Sequence, residues 1–500
     1  MSLAIVYSRA QAGMDAPLVS VEVHLSNGLP GLSIVGLPET AVRESKDRVR
    51  GAILNSLFEF PARRITINLA PADLPKEGGR YDLPIALGIL AASGQIPGGE
   101  LDRYEFAGEL ALSGQLRAVD GALPMALHMQ KTQRVLVIPL ENAAEASLVR
   151  DVQIVPARHL LEITRHLDGT APIEYNPAPM PVDDEATLPD LADVRGQHHA
   201  RRALEIAAAG GHSLLMLGPP GTGKSMLASR LPGILPEMTE AEALQAAAVA
   251  SISRQHVDTR TWKRRPFRTP HHTASAAALV GGGSNPQPGE ISLAHHGVLF
   301  LDELPEFSRQ VLEVLREPLE SGRITISRAA RQTEFPARFQ LIAAMNPCPC
   351  GYLGDPSGRC HCSSEQVQRY RNRISGPLLD RIDMHVEVPR LTFSDMQGPS
   401  GEGSAPVRAR VVRARARQLQ RNGTLNSRLT HRQIDVACVL ANPDRLLLER
   451  AVEKLQLSAR AYHRILKLAR TIADLDSSND VGTAHLTEAI LYRKLDRSAY

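Results

Sequence analysis

The chain has 500 residues, of which 43% are hydrophobic, and a formal net charge of +3. This length suits about three domains with ordinary packed cores, and the small net charge excludes bulk attraction to polyanions, so any nucleic acid must be bound by local clusters. Five cysteines are too few for a disulfide framework. The chain also lacks a signal-peptide pattern and any run of roughly 18 apolar residues, which predicts a cytoplasmic protein with no membrane partner.

The first third of the chain predicts a compact domain that mixes helix and strand. The stretch "LVSVEVHLSNGLPGLSIVG" alternates apolar and polar residues around an Asn-Gly pair, as two strands joined by a turn do. The segment "ETAVRESKDRVRGAILNSL" then has apolar residues at helical spacing. We expect this domain at residues 1–170 and a linker at residues 171–190, a stretch with five prolines and five acidic residues.

Beyond the linker, predicted strands and helices alternate. The segments "HSLLMLG", "GVLFLDE" and "FQLIAAMN" have the pattern of buried strands, whereas "KSMLASRL" and "FSRQVLEVLREPLE" have helical periods. This alternation predicts an α/β domain with a mostly parallel sheet, at residues 191–395. Helical periods dominate the rest of the chain, which predicts a small helical domain at residues 396–500.

The segment "GPPGTGKS" matches the phosphate loop G-x-x-x-x-G-K-[ST] and lies between a predicted strand and a predicted helix, as that motif requires. Backbone N–H groups of such a loop hold the phosphates of a bound nucleotide. The lysine places its charge on the β and γ oxygens, and the last hydroxyl reaches Mg²⁺. The predicted ATP-binding residues are Gly218, Pro219, Pro220, Gly221, Thr222, Gly223, Lys224 and Ser225.

Two carboxylates, Asp302 and Glu303, follow the apolar strand "VLFL". Ligands of open α/β sheets bind at the carboxyl ends of strands, so we expect Asp302 to hold Mg²⁺ together with Ser225. Glu303 would activate the attacking water, which predicts an ATPase rather than a nucleotide-storage protein. Asn346 ends the next buried strand and could orient that water. The alternative interpretation is that these side chains are solvated acids and a turn residue.

Three clusters of basic residues could contact nucleic acid. The stretch from Arg254 to His272 combines basic residues with Trp262, Phe267 and histidines, a mixture that suits phosphates and stacked bases. The segment "GRITISRAARQTEFPARFQ" predicts two strands joined near Ala329 and Ala330. A helix from "VRARVVRARARQLQR" would carry six arginines and no acid.

The residues that we predict to contact nucleic acid are Lys263, Arg264 and Arg265 in the first cluster, Arg328 and Arg331 at the hairpin tip, and Arg413 and Arg417, which share a helix face with Arg410 and Arg421. Such side chains grip phosphates without reading bases. Solvated surface segments are the alternative interpretation for each cluster.

Four cysteines lie in the segment "MNPCPCGYLGDPSGRCHC", as two C-x-C pairs around a Gly- and Pro-rich turn. Four thiolates satisfy tetrahedral Zn²⁺, although the C-x-C spacing is tighter than the common one, and His361 could replace one sulfur. We predict a structural zinc site in an insert at residues 346–362, with the ligands Cys348, Cys350, Cys360 and Cys362. Unliganded thiols and a redox switch are the alternatives.

The order of these elements resembles the AAA+ ATPases. The resemblance places Asn346 at the sensor 1 position, and "SGPLLDRID" is similar to the segment that carries the arginine finger, here Arg381. Likewise "LSARAYHRILKLARTIADL" resembles a sensor 2 helix and places Arg460 near the nucleotide. An arginine supplied by a neighbouring subunit requires head-to-tail packing, so the resemblance implies a homohexameric ring.

Two inserts, "RPFRTPHHTASAAALVGGGSNPQPGEISLAHHGVLFLDELPEF" and "RYRNRISGPLLDRIDMHVEVP", closely resemble the ComM/YifB branch of the magnesium-chelatase-like ATPases. The likeness extends over nearly the whole chain. It implies an ATP-driven hexameric DNA motor that acts on single-stranded and branched DNA and promotes branch migration during natural transformation, with recombination proteins as possible partners.

The N-terminal part is similar to the Lon protease domain, an α+β fold of the ribosomal-S5 type. Its segment "PKEGGRYDLPIALGIL" matches the one that carries the serine nucleophile of Lon, but Arg80 or Asp82 occupies that position. Leu123 or Pro124 stands where the lysine base should be. We therefore expect an assembly or binding module rather than a protease.

Two other functions compete with the DNA motor. A magnesium-chelatase-type ATPase would remodel a protein partner, and its likeness covers only the ATPase and helical parts. A Lon-like unfoldase would need the serine-lysine dyad that this sequence lacks.

Overall fold

The computed structural model describes residues 2–175, 188–253, 255, 257–283, 286–328, 331–355 and 358–493. Contacts between the residues divide the chain into two compact units. The first unit comprises Met1–Asp183, Leu244–Trp262 and Ser327–Phe335, and the second comprises Asp184–Ala243, Lys263–Ile326 and Pro336–Tyr500. The four-part division that the sequence suggests stays a prediction.

The first unit is built on a mixed seven-stranded sheet, in the order β3-β4-β2-β1-β5-β8-β9. Strands β1, β2 and β4 pair antiparallel, and the remaining pairs are parallel. A separate short pair is formed by β6 and β7. The strands are β1 Leu3–Arg9, β2 Leu18–Ser26, β3 Gly31–Val35, β4 Arg64–Ala70, β5 Tyr104–Phe106, β6 Glu109–Leu110, β7 Leu116–Arg117, β8 Val135–Pro139 and β9 Ile154–Ala157.

The α-helices within residues 2–175 are α1 Thr40–Arg43, α2 Ser45–Asn55, α3 Asp82–Ala92, α4 Ala122–Met129, α5 Leu140–Ala146 and α6 Leu160–Leu167. All residues of α3 are buried, as expected for a helix that is apolar on every side. A side chain on Gly88 would come within 2.5 Å of Val23, so glycine lets α3 approach β2. The predicted mixture of helix and strand is confirmed.

The second unit contains a five-stranded sheet in the order β11-β14-β17-β10-β18, and every pair in it is parallel. The strands β10, β14 and β17 are those predicted from the sequence, which confirms the α/β class. The pairs β12-β13 and β15-β16 stand apart from this sheet. The strands from residue 188 onwards are β10 Leu214–Leu217, β11 Phe267–Arg268, β12 Gly281–Gly282, β13 Gln287–Pro288, β14 Val298–Leu301, β15 Arg323–Arg328, β16 Arg331–Pro336, β17 Gln340–Met345 and β18 Met384–Glu387. Of these, the end of β15 and nearly all of β16 fall in the segment Ser327–Phe335 of the first unit.

The helices of the remaining chain are α7 His198–Gly210, α8 Lys224–Ile234, α9 Glu240–Ile252, α10 Ala276–Val280, α11 Glu290–Leu293, α12 Arg309–Val314, α13 Arg316–Ser321, α14 Ser364–Arg371, α15 Gly376–Leu379, α16 Phe393–Gln397, α17 Ser404–Asn422, α18 His431–Ala437, α19 Asn442–Leu455, α20 Ala459–Leu475 and α21 Thr483–Leu491. Among the described residues, none of these helices is long and apolar enough to cross a membrane.

The helix expected from "FSRQVLEVLREPLE" is in fact two helices, α12 and α13, which meet at Leu315. Pro318 explains the break, because it has no N–H to donate to the carbonyl of Val314 and its ring would clash there. Proline is tolerated in the first turn of the second helix, where that N–H would have no partner within the helix.

A buried polar network joins the C-terminal helices to one another. The Asp474 carboxylate on α20 accepts hydrogen bonds from Arg421 at 2.7 and 2.8 Å and from Asn426 at 2.8 Å. It also lies 3.2 Å from Arg470, and both of these side chains are at most 2% exposed. One carboxylate therefore compensates two arginines, one of them fully buried.

Replacing Asp474 by alanine should lower the free energy of unfolding by about 3–5 kcal/mol, because it leaves the Arg470 charge buried without a counterion. Urea unfolding of the wild type and the variant measures this. The matched control is Asp476→Ala, since Asp476 is 47% exposed and its ion pairs are worth less than about 1 kcal/mol. Equal losses in the two variants would contradict the assignment.

Candidate nucleotide and metal sites

The phosphate loop connects β10 to α8, as the sequence predicts. Gly221 and Gly223 have φ angles of +75° and +87°, a region that glycine enters without steric cost. A side chain on Gly218 would come within 2.2 Å of the Val388 carbonyl oxygen, so this position also needs glycine. The loop therefore has the backbone of an anion-binding turn at the start of a helix.

The Lys224 side chain contacts the backbone of the phosphate loop. Its Nζ donates to the carbonyl oxygens of Gly218 and Pro219 at 2.7 and 2.8 Å, and to Asn346 Oδ1 at 3.1 Å. Burial lowers the pKa of Lys224, while the charges of Asp302 and Glu303 act in the opposite direction. The structure thus brings the predicted lysine and the predicted sensor asparagine into direct contact.

Asp302 and Ser225, the two side chains predicted to hold Mg²⁺, are in direct contact. Ser225 Oγ donates to Asp302 Oδ2 at 2.5 Å, across the gap between α8 and the end of β14. A hydroxyl and a carboxylate oxygen are the hard ligands that Mg²⁺ prefers, and Mg²⁺ fills its other positions with water and phosphate oxygens. The residues present therefore fit a nucleotide-bound Mg²⁺.

Glu303 sits beside this pair in a left-handed backbone conformation, with φ of +52°. Its N–H donates to Asp302 Oδ1 at 2.9 Å, and its Oε2 lies 3.3 Å from Nδ1 of His272. Sequence reasoning assigned His272 to a base-stacking cluster and missed this contact. No motif signalled it, because the two residues are 31 positions apart in the chain.

The two predicted arginines lie elsewhere in the second unit. Arg381 is only 9% exposed, and it forms an ion pair with Glu320 at 2.7 Å and donates to the Pro377 carbonyl at 2.7 Å. Arg460 is largely exposed and lies 3.7 Å from the Asp380 carboxylate. These contacts do not involve the phosphate loop, so the finger and sensor 2 roles stay predictions.

The four predicted cysteines converge, with all four sulfurs within 4.8 Å of one another. The distance from Cys348 Sγ to Cys350 Sγ is 3.3 Å, and Cys360 Sγ lies 3.8 and 3.6 Å from those two atoms. A tetrahedral Zn²⁺ with bonds of about 2.3 Å needs sulfurs about 3.8 Å apart, so this cluster could hold a metal ion. His361 is not part of this cluster of ligand atoms.

The loop that carries the cysteine cluster contacts the phosphate loop of the candidate nucleotide site. A hydrogen bond from the backbone of Tyr352 lowers the pKa of Cys350 to about 6, which favours the thiolate that metals bind. Gly351 has a φ angle of +82°, and a side chain there would come within 2.6 Å of Pro220 in the phosphate loop. The cysteine loop therefore packs directly on the loop that would hold the phosphates.

The first basic cluster does not have the predicted form. Arg265 forms an ion pair with Glu242 at 3.0 Å and is only 11% exposed, so it is a structural residue here. Trp262 is buried, and Phe267 is half-buried and stacked on Phe300 of the core, so neither presents a ring for bases. Lys263 and Arg264 are half-buried.

The other two clusters are confirmed as secondary structure. Strands β15 and β16 pair as predicted, but the side chains of Arg328 and Arg331 and the tip residues Ala329 and Ala330 lie outside the described residues. The arginine-rich segment is α17, although acids from outside the helix compensate two of its charges. Arg410 binds Glu205 and Glu402, and Arg421 binds Asp474, whereas Arg413 is exposed and Arg417 is half-buried.

In the first unit, the segment that resembles the Lon nucleophile region is occupied by structural contacts. Asp82 is fully buried and accepts from Arg48 at 2.7 and 3.1 Å. Burial raises the pKa of Asp82 to about 6 against the opposing effect of this hydrogen bond. Arg80 donates to Gln11 and to the Asp120 carbonyl, both at 2.8 Å. Leu123 and Pro124 are buried in α4.

Three family models match the chain. The model described as "Magnesium chelatase, subunit ChlI" matches residues 190–396, and that described as "Subunit ChlI of Mg-chelatase" matches residues 21–142. A third, "Magnesium chelatase, subunit ChlI C-terminal", matches residues 401–493. All the described groups of the candidate nucleotide site fall within the first of these matches.

Curated relatives match along the full length. Competence protein ComM of Haemophilus influenzae is 55% identical over 506 residues, which cover 99% of this chain and 98% of that protein. The YifB protein of Escherichia coli is 52% identical over 500 residues, with the same coverage of both chains. The magnesium-chelatase 38 kDa subunit of Cereibacter sphaeroides is 27% identical over 172 residues, 30% of this chain and 51% of that protein. The chain therefore belongs to the ComM/YifB family of magnesium-chelatase-like AAA+ ATPases.

Proposed function

We propose that the protein is a cytoplasmic, hexameric, ATP-driven DNA motor that promotes branch migration when incoming DNA recombines during natural transformation. The observation that carries the ATPase part is the convergence of Lys224, Ser225, Asp302 and Asn346 at one edge of the parallel sheet. The DNA part is supported by the full-length similarity to a competence protein. Family membership alone implies ATP and Mg²⁺ as cofactors.

Each residue has a separate task in hydrolysis. Lys224 exchanges its carbonyl partners for phosphate oxygens, and Ser225 and Asp302 hold the metal ion. Mg²⁺ held by Ser225 and Asp302 would supply positive charge that stabilises the transferred phosphoryl group. Glu303 accepts a proton from the attacking water, Asn346 positions that water, and His272 orients the Glu303 carboxylate from the other side.

A ring of such subunits would move along DNA by gripping phosphates. The hairpin of β15 and β16 carries Arg328 and Arg331 at its end, and Arg413 is exposed on α17. Phosphate contacts of this kind are independent of sequence, as a translocating motor requires. Arg381 would have to leave Glu320 in order to reach the nucleotide of a neighbouring subunit.

The second candidate function is a magnesium-chelatase-type ATPase that remodels a protein partner. All three family models are named after a chelatase subunit, which favours this function. The two functions differ in what stimulates ATP hydrolysis. DNA should raise the hydrolysis rate if the protein is a DNA motor, but not if it remodels a protein partner.

We expect single-stranded and branched DNA to stimulate ATP hydrolysis and a mobile four-way junction to be moved in an ATP-dependent way. Lys224→Ala and Glu303→Gln should each lower turnover about 100-fold, because each removes a group that acts on the transition state. Glu303→Gln should still bind ATP. The assays are phosphate release and gel analysis of junction products.

The matched control for Lys224→Ala is Lys454→Ala, which removes an exposed lysine of α19 and should leave both activities unchanged. Hydrolysis that is indifferent to DNA, together with an immobile junction, would exclude the motor and favour the remodelling ATPase.

We also propose that the four cysteines bind Zn²⁺ and that the metal ties the cysteine loop to the phosphate loop. The sulfur separations suit tetrahedral Zn²⁺, and Gly351 lies against Pro220. Structural zinc supplies folding free energy to a segment with little apolar content of its own. Loss of the metal should therefore loosen the phosphate loop and weaken ring assembly.

Metal analysis of the purified protein should find about one zinc ion per chain. Cys360→Ser should lose the zinc and part of the ATPase activity, whereas Cys438→Ser should keep both, because the Cys438 sulfur lies apart from the cluster and contacts the Leu466 carbonyl. Metal-free protein with intact rings and full ATPase activity would refute the coupling.

A further inference from the structure

Histidine and arginine side chains cluster at the amino ends of the parallel strands. His295 and His296 precede β14, and Arg338 precedes β17, so these residues lie at the edge of the sheet opposite to the phosphate loop. The His296 N–H donates to the Arg338 carbonyl at 2.6 Å, and the Arg338 N–H donates to His295 Nδ1 at 3.0 Å. These two bonds fix the start of β17 beside the start of β14.

Two further arginines lie at this edge, one half-buried and one buried. Arg265 donates to the His296 carbonyl at 2.7 Å and pairs with Glu242 at 3.0 Å. Arg415 on α17 is 8% exposed and donates twice to the Ala208 carbonyl near the end of α7, at 2.7 and 2.9 Å. Burial lowers the pKa of Arg415 to about 9, and the charge of Arg265 adds to this effect.

Arg428 completes the group, which we call the amino-edge arginine cluster: Arg265, Arg338, Arg415 and Arg428. The neighbouring Ser427 packs on Gly211, directly after α7, where a side chain on Gly211 would come within 3.3 Å of the Ser427 hydroxyl, so Arg428 follows a segment at the same end of α7 that Arg415 contacts. Burial lowers the pKa of Arg428, and the charge of Arg338 acts in the same direction. Arg338 and Arg428 both reach solvent. Neither guanidinium group forms a hydrogen bond or an ion pair with any residue in the described part of the chain.

The negative charge at this edge is too small to balance four arginines. Glu242 is the carboxylate that pairs with the cluster, through Arg265, and it also lies 3.5 Å from His296. Burial lowers the pKa of His295 to about 3 and that of His296 to about 4, so both rings are neutral at pH 7 and add no charge. Within the described residues, the four guanidinium groups therefore have as acceptors one carboxylate, that of Glu242, and backbone carbonyls that include Ala208 near the end of α7.

We propose that the amino-edge arginine cluster is a phosphate-binding site, with Arg338 and Arg428 as the two ligands and the phosphodiester backbone of single-stranded DNA as the ligand. A planar guanidinium group can bind two phosphate oxygens at once, and the charges of the half-buried Arg265 and the buried Arg415 add an attraction that water screens poorly. A bound anion would relieve the repulsion among the four charges.

Two observations favour the phosphodiester backbone of a DNA strand over a free nucleotide as the ligand. The protein already has a nucleotide site at the other edge of the sheet, formed by the phosphate loop. The two exposed arginines also come from separate segments, one before β17 and one after α17, which suits successive phosphates of a chain. This inference rests on the proposed DNA-motor function and adds a contact that no sequence cluster predicted.

The test compares the full-length protein with the double variant Arg338→Ala, Arg428→Ala. Fluorescence anisotropy of a labelled single-stranded oligonucleotide, titrated at several salt concentrations, gives the affinity and its salt dependence. We expect about tenfold weaker binding and a log–log salt slope that is smaller by about 1.4, since each phosphate contact on a single strand contributes about 0.7. The variant with lysine at both positions should recover most of the slope.

The matched control is Arg450→Ala, because Arg450 is also an exposed arginine of the helical region and lies outside the cluster. It should leave affinity and slope unchanged. A thermal unfolding midpoint no lower than that of the wild type verifies that the double variant is folded. Competition with inorganic phosphate distinguishes the two sources of phosphate, because DNA should be displaced only at far higher concentrations of the free ion.

Three results would overturn the inference. If the wild type binds DNA and the double variant binds it equally, with the same slope, the cluster is not a DNA contact although the motor function stands. If the wild type binds no DNA, both proposals fail together. If the double variant instead changes the oligomeric state in sedimentation while DNA affinity per ring is kept, the cluster contacts another copy of the chain.

Discussion

The parallel register of β10, β17 and β14 is the constraint on which the rest of the second unit depends. Leu217 lies opposite Met345, and Ala343 opposite Leu301, so the residues that follow each strand emerge at the same edge. The lysine and serine of the phosphate loop, the acids after β14 and the asparagine after β17 meet for this reason. A slip of one residue in any strand would turn its side chains to the other face and separate these groups.

The sequence was sufficient for the parts of the site that depend on local pattern. A buried strand followed by "GPPGTGKS" specifies both the turn and the helix that follows it, because glycines and a helix start are needed at fixed spacing. The acids after β14 and Asn346 after β17 could be placed since strands of a parallel sheet end at a common edge. The cysteines converge because a short turn brings two C-x-C pairs together.

The same reasoning could not predict contacts between distant segments. The sequence of α17 contains no acid that could neutralise the charges of Arg410 and Arg421. In the fold, Arg410 forms an ion pair with Glu205 and Arg421 forms one with Asp474, both on other helices. The aromatic residues of the first basic cluster, Trp262 and Phe267, are buried and half-buried. The hydrophobic effect favours burial of these rings even though their neighbours in sequence are basic. Local pattern says which residues are charged or apolar, but only the tertiary fold decides which of them stay available to a ligand.

The central strands of this sheet are short, and this has a mechanical consequence. Strand β14 has four residues, so its first and last Cα atoms lie about 10 Å apart, and neighbours on both sides hold it by hydrogen bonds. Such a strand cannot stretch or bend along its length. An axial shift of Asp302 would therefore be passed along the strand to Gly297 and His296, the residues that precede it.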